Sequence, residues 1–434
     1  MSSYVDMTAG AVEHLESMAT QHPDLAADYY TPMANHCRSK LWHQLTVKVT
    51  EFVTSPKTVR TTAHDGTHSY LALYDKVVLA VVSKLNALSV AKIASHVANA
   101  MQSTDATAAR AVLENLQTQF KQQVQGGGTD PDSSSSSSTS TTNTPLLPAL
   151  IYLQSKLVSL QLSTAAVQGT DDALLPTLKT TLDANKPLLT FVDEANPATA
   201  AVHAAHYEAS MAYYKLVGPP EAFYEQAMAF LQYAPPASPT AVPTMNYHQL
   251  AIDLVLAALT GDGVYNLGQV EQNPILAVLR ETSDAWLVEL LHACAAGDVT
   301  AFTAVSQQHA TQIAAQPALT HRATAVQEKM KLLALVWLIF GKPPHERTLS
   351  FDEIAQALQV PTDQVEWVLM RAMSVKLLEG KLDEIDQTVD VTWILPRVLN
   401  QTQIGDLAKR FEEWAESVKT THSSVEQQAT PVLG

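Results

Sequence analysis

Leu349–Ile394 reads LSFDEIAQALQVPTDQVEWVLMRAMSVKLLEGKLDEIDQTVDVTWI, and the order of its elements decides the fold. Ser350 precedes Phe351, and Glu353 stands three positions beyond that serine. Serine at the N-cap with glutamate three on is a capping box, which satisfies free backbone donors at a helix start. Phe351, Ile354, Ala355 and Leu358 fall at helical spacing and give this helix one apolar face. Val360-Pro361 ends it, because the residue before a proline is driven out of the α region. Thr362 is expected to cap a second helix, whose stripe is Val365, Val368, Leu369, Ala372 and Met373. Gly380 is expected at a turn, and Leu382, Ile385, Val389, Val391 and Trp393 supply the apolar positions of a strand, turn and strand. Helix, turn, helix and a two-stranded wing make a winged helix. Its expected core is Phe351, Ile354, Leu358, Val365, Leu369 and Trp393.

A winged helix either reads nucleic acid or binds protein. Duplex binding needs Lys and Arg to neutralise phosphates. From Glu346 to Pro396 there are ten Asp or Glu against four Lys or Arg, and the second helix carries Asp363 and Glu366 with only Arg371 against them. The whole chain has a formal net charge of −16. Repulsion from phosphates therefore opposes a DNA-reading role and favours a protein-packing one.

The rest of the chain is read outward from this module. At 434 residues there is length for two or three domains. The two cysteines, Cys37 and Cys294, are far apart, which offers no disulfide framework and no metal quartet and fits a reducing compartment. The N-terminus MSSYVDMTAGAVEHLE lacks the basic region and apolar run of a secretory signal. The most apolar run, Leu332–Phe340, has nine residues where a membrane span needs about twenty, so it is expected as a buried helix. A soluble, intracellular protein is expected, with no membrane partner.

Before residue 345 one amphipathic stripe follows another: Leu41, Leu45, Val49 and Phe52; Tyr70, Leu73, Val77 and Val81; Val112, Leu116 and Phe120; Val202, Ala205, Ala209, Tyr213 and Leu216; Phe223, Ala227, Phe230 and Leu231. Gly218-Pro219-Pro220 separates the last two helices, and Gly297 with Asp298 separates Trp286–Ala296 from Val299–Ile313, a glycine stop and an aspartate start. The expected fold class is mostly α, with a right-handed α-solenoid of helical hairpins over residues 1–330 and no strict repeat period. The winged helix follows over 331–396, then a C-terminal helix over 397–419 and a flexible tail over 420–434. Within the solenoid, Gln125–Thr144 (QGGGTDPDSSSSSSTSTTNT) has no hydrophobic side chain with which to offset its ordering entropy and is expected to be a disordered insert. It reads as an interdomain linker or as a surface loop within one solenoid, and the similar helices on both sides favour the loop. In the C-terminal helix, Ile404, Leu407, Phe411, Trp414 and Val418 share one face, with Asp406, Lys409, Arg410, Glu412 and Glu413 on the other. That apolar face either docks back on its own domain or joins helices of other subunits.

Catalytic constellations are thin. His64, Asp65 and His68 cluster in HDGTH, but Gly66 breaks helical geometry and no third metal ligand is evident. His203 and His206 lie three apart beside Glu208, without the H-E-x-x-H order of a zinc enzyme, and read as a helix surface or an interior pair. No P-loop, G-x-S-x-G or G-x-G-x-x-G occurs, and Gly261-Asp262-Gly263 reads as a helix stop and reversal. Cys294, mid-helix among alanines, reads as packing. No catalytic residue, metal or cofactor is expected.

Helical repeats, then a winged helix, then a terminal helix resemble the PCI-domain family, shared by the proteasome lid, the signalosome and translation initiation factor three. The resemblance is closest to its proteasome-lid members. It is carried by Val12–Val53 (VEHLESMATQHPDLAADYYTPMANHCRSKLWHQLTVKVTEFV), by Ala257–Phe302 (AALTGDGVYNLGQVEQNPILAVLRETSDAWLVELLHACAAGDVTAF), by LSFDEIA at 349–355 and by Val365–Ile404. Within the last stretch, GKLDEID at 380–386 and Trp393, Pro396, Arg397 and Val398 are the more specific words. The Gly/Ser-rich insert stands outside the resemblance. What it implies is a non-catalytic scaffold in a hetero-oligomer, supporting ubiquitin-dependent protein degradation in cytoplasm and nucleus. The implied partners are other lid subunits, PCI-type and metalloprotease-type, met through side-by-side winged helices and a bundle of terminal helices. The alternatives are a PCI scaffold of a related complex, or a nucleic-acid-binding winged helix.

Overall fold

The computed structural model describes residues 2–55, 69–102, 105–126, 146–168, 174–194, 196–236, 245–280, 282–342, 347–398 and 401–429. Most of the insert expected to be disordered, and the HDGTH cluster, lie outside them. The chain forms two compact units, 1–243 and 244–434, both dominated by helices. This division falls inside the stretch 1–330 expected as one repeat domain. Its cause in the second unit is helix Ala323–Phe340, which packs both on the helices that precede it and on the winged helix.

In the first unit, sequential helices pair. Ala87–Met101 packs on Ala106–Gly126, and Pro197–Val217 on Pro220–Tyr233, while Leu147–Gln168 touches the first pair and Pro197–Val217. Caps place the starts: the Asn86 side chain accepts from the Leu88 and Ser89 backbone N–H groups, and Asp105 from those of Thr107 and Ala108. The N-terminal core holds Tyr30, Phe52 and Tyr70 with ring centroids 5.4 and 5.7 Å apart. Tyr70, Leu73, Val77 and Val81 are all buried, although their segment passes from α (Ser69–Leu73) through a π turn (Tyr74–Val78) to 3-10 (Leu79–Lys84). Leu41 and Leu216, read as members of buried stripes, are exposed. Leu41 precedes the helix Trp42–Thr54, and Leu216 sits in the last turn of its own.

In the second unit, helix Tyr247–Thr260 stops at Gly261. Its terminal carbonyls meet two cations from the next layer: Lys329 Nζ donates to Ala258 O (2.6 Å) and Gly261 O (2.9 Å), and Arg322 donates to Thr260 O (3.0 Å). Ala285–Ala296 ends at Gly297 in the left-handed region, and Asp298 caps Val299–Gln308 through the Thr300 and Ala301 N–H groups. The helix expected to run to Ile313 breaks at His309 and resumes as Ala310–Ala314.

The winged helix closes on a three-stranded antiparallel sheet in the order β1 (Thr348–Ser350), β3 (Thr388–Ile394), β2 (Leu378–Asp383). Ser350 caps the first helix, Phe351–Leu358, by accepting from Glu353 N at 3.3 Å. The Glu353 carboxylate turns instead to Lys342, 2.6 Å away. The second helix, Thr362–Ser374, starts at Pro361 without a side-chain cap, so Thr362 lies inside its first turn rather than capping it. Phe351, Ile354, Leu358, Val365 and Leu369 are buried. Trp393, expected in that core, is 39 % exposed. The reason is a register shift between Glu379 and Gly380: Glu379 pairs with Trp393 but Gly380 with Val391, so Thr392 is the extra residue of a bulge. The alternation of Val389 and Val391 slips there, and Ile394 takes the buried place. Gly380 serves this bulge rather than a turn, since a Cβ on it would come within 2.4 Å of Asp390 O. The turn lies later, where the Asp383 carboxylate accepts from the Ile385 and Asp386 N–H groups.

The last helix spans Gln401–Ala429, 29 residues, where one ending near Val418 and a flexible tail from 420 were expected. Thr420, Thr421 and Ser424, which suggested fraying, return their hydroxyls to carbonyls one turn back, and His422 reaches Glu426 at 3.6 Å.

Candidate functional site

Between β3 and the last helix, the backbone is clamped to the helical layer beneath. Ala295 sits in the final turn of Ala285–Ala296, where a carbonyl has no partner within its helix. Its oxygen accepts from Trp337 Nε1 (2.6 Å) and from Arg397 Nη2 (2.7 Å). The Arg397 guanidinium lies 4.5 Å from the centre of the Trp337 ring, a cation–π contact, and its burial holds its pKa below the usual value against the pull of Glu271. Gly297, at φ +69°, lets the Trp337 ring approach: a Cβ there would stand 2.3 Å from the ring. Next along the chain, Val398 N–H donates to Asn266 Oδ1 at 3.3 Å. Arg397 and Val398 thus tether the approach to the C-terminal helix.

That helix presents Ile404, Leu407, Phe411, Trp414 and Val418 to solvent, with Phe411 59 % and Trp414 67 % exposed. Its extension adds Val425, also exposed, which lies beyond the end expected near Val418. The signal was in the spacing: Ile404, Phe411, Val418 and Val425 recur every seven residues, and Leu407 and Trp414 interleave with them. A seven-residue repeat keeps a seam facing a partner helix through a left-handed supercoil. Over 29 residues the helix extends about 43 Å. The winged helix adds exposed Trp367 and Met370, one turn apart on its second helix, and Trp393. At the wing tip Ile385 is 94 % exposed among Asp383, Glu384 and Asp386.

Among the described residues no three His, Cys, Asp or Glu converge as a metal site. Burial pushes the Cys294 thiol up to about 12, far from a reactive thiolate, although Lys329 opposes the shift. His203 and His206 are interior; His203 stacks on Tyr233 at 4.8 Å, and burial, then His203 and Lys186, push His206 down to about 4. No helix of the described residues is long and apolar enough to cross a membrane.

Comparisons with known proteins agree with this arrangement. Residues 29–291 match the family described as PSD13 N-terminal repeats, and residues 306–393 match the PCI domain. The chain is 30 % identical to 26S proteasome non-ATPase regulatory subunit 13 homolog B of Arabidopsis thaliana, over 98 % of this chain and 99 % of that protein. It is 27 % identical to the Dictyostelium discoideum 26S proteasome non-ATPase regulatory subunit 13, over 97 % and 98 %. It is 28 % identical to the Saccharomyces cerevisiae 26S proteasome regulatory subunit RPN9, over 89 % of each. With the repeat family matched over more than half of the chain, the PCI domain following it, and a relative 30 % identical along nearly the full length of both chains, the chain belongs to the family of 26S proteasome non-ATPase regulatory subunit 13.

Proposed function

We propose that this chain is a non-catalytic scaffold of the lid of the proteasome regulatory particle, acting in ubiquitin-dependent protein degradation in cytoplasm and nucleus. It assembles as part of a hetero-oligomer: its winged helix packs beside those of other PCI chains, and its terminal helix joins a bundle with theirs and with metalloprotease-type subunits. The observation that carries the reading is the seven-residue seam of Gln401–Ala429, exposed along its described length. A helix draws most of its stability from packing an amphipathic face, and this face finds no cover among the described residues. The acidic winged helix, ten carboxylates against four basic residues, supports a protein rather than a nucleic-acid partner.

The test is truncation after Asn400. The shortened chain is expected to keep the melting behaviour of the full one, because the removed face contributes no core, and to fail to enter the regulatory particle in native mass spectrometry. Undiminished incorporation would overturn the role of the terminal helix.

A further inference from the structure

The helices ahead of the winged helix enclose a groove of about 540 Å³, within the range of pockets that enclose ligands. Buried Leu290, Leu319, Val326 and Met330 line its base, and half-buried Phe302 and Ile313 its walls. Two of the helices that build it, Val299–Gln308 and Ala310–Ala314, have no buried residue at all. A helix of a globular domain normally buries a stripe, so these two offer theirs to something outside the unit. From Val299 to His321 there is also no Asp, Glu, Lys or Arg. An apolar surface depleted of charge has the composition of an interface centre.

Two observations define the occupant. Lys331 is the single Lys, Arg, Asp or Glu in the lining and has no ion pair among the described residues. The walls are helices, whose backbone N–H and C=O groups are spent internally, and no strand edge borders the groove. An extended peptide would find no ladder there, so the ligand must satisfy its own backbone. We propose that the groove docks an amphipathic helix of another protein, with bulky apolar residues at three- and four-residue spacing and a carboxylate that pairs with Lys331. This surface is distinct from the winged helix and the terminal seam, and the inference stands apart from both.

The experiment places a photo-crosslinking amino acid at Gln307, exposed on the groove's rim, in the full-length chain expressed in cells, and maps the joined peptide by mass spectrometry. The expected adduct falls in one other polypeptide, in a segment with apolar residues at helical spacing and an Asp or Glu. Lys331→Glu is expected to cut its yield at least about fivefold, and changing the mapped acid to lysine to restore it. Thr303→Arg, an exposed substitution that fills the groove without touching the core, is expected to abolish it. No adduct, an adduct to a second copy of this chain, an adduct to a segment without helical apolar spacing, or a yield indifferent to both substitutions overturns the proposal. A crosslinker at Trp414 reads the terminal helix separately, so failure at one surface is not mistaken for failure at the other.

Discussion

In the helix Phe351–Leu358, Phe351, Ile354 and Leu358 are buried; in the helix Gln401–Ala429, Ile404, Leu407 and Phe411 repeat the same spacing and stand in solvent. The first helix is eight residues long and survives because helix Ala323–Phe340, the second winged-helix helix and β1 cover its face. The second has more than three times the length and no such cover. Hydrophobic burial stabilises by about 1.5–3 kcal/mol for each large side chain removed from water. One helix collects that free energy within the chain, and the other, exposed along its described residues, does not. Periodicity identifies an apolar face but not what covers it.

A matched pair of substitutions breaks or sustains this contrast. Ile354→Ala empties a fully buried site and is expected to cost about 2–5 kcal/mol in urea unfolding of the isolated chain. Ile404→Ala is expected to change stability by less than about 0.5 kcal/mol, as for an exposed position. Equal losses at the two sites would mean that the terminal helix packs on its own domain.

A buried polar residue sharpens the same comparison through pH. His206 titrates near 4 in the folded chain, because burial, His203 and Lys186 disfavour its cation, with Asp183 opposing. Unfolded, it returns to about 6.5. Above that pH both states are neutral and the His206 contribution is whole. As pH falls from 6.5 towards 4 the unfolded chain binds a proton that the folded chain refuses, so stability falls, by roughly 3 kcal/mol in all. Urea melts between pH 7 and pH 4 should show this loss, and His206→Leu should flatten that part of the profile. An unchanged slope in the variant would show that other groups carry the acid sensitivity.

The sequence and the structure diverge where long-range geometry decides. Capping at Ser350 and Asp298, the stop at Gly297 and the stripes of the first unit were legible because each depends on neighbours within one or two turns. Trp393 was misplaced because a bulge is a property of two paired strands, and nothing in VDVTWI alone says that Thr392 is surplus. The terminal helix was cut short because threonines and serines after Val418 resemble a frayed end; the seven-residue recurrence to Val425 carried the opposite message. Arg397 stood out as part of a specific word, yet its role needs Trp337 and Ala295, sixty and about a hundred positions away in the chain. The groove left no motif, only an absence of charge from Val299 to His321.

The clamp lies between the two compared helices and should give an intermediate effect. Arg397→Leu keeps bulk but removes the hydrogen bond to Ala295 O and the cation over Trp337, for an expected loss of about 1–3 kcal/mol in urea unfolding. Because the tether leads into the terminal helix, the variant is also expected to enter the regulatory particle less efficiently at equal folded concentration. A stability loss with normal incorporation would make Arg397 a packing residue and nothing more.

The smallest expected effect on stability carries the largest consequence for function. Phe411→Ser with Trp414→Ser removes the two largest side chains from the exposed seam. Neither contributes core in the isolated chain, so thermal and urea unfolding are expected to shift by less than about 0.5 kcal/mol. Aromatic anchors at the centre of a helix–helix interface are the residues whose loss costs most in binding, about 2 kcal/mol or more each. Incorporation measured by native mass spectrometry should therefore fall well beyond anything the folding measurement detects. If the double variant unfolds more easily and still assembles, the seam is a domestic contact and the contrast with Phe351–Leu358 disappears. If it folds normally and is excluded, the two helices differ only in whose side chains complete their cover.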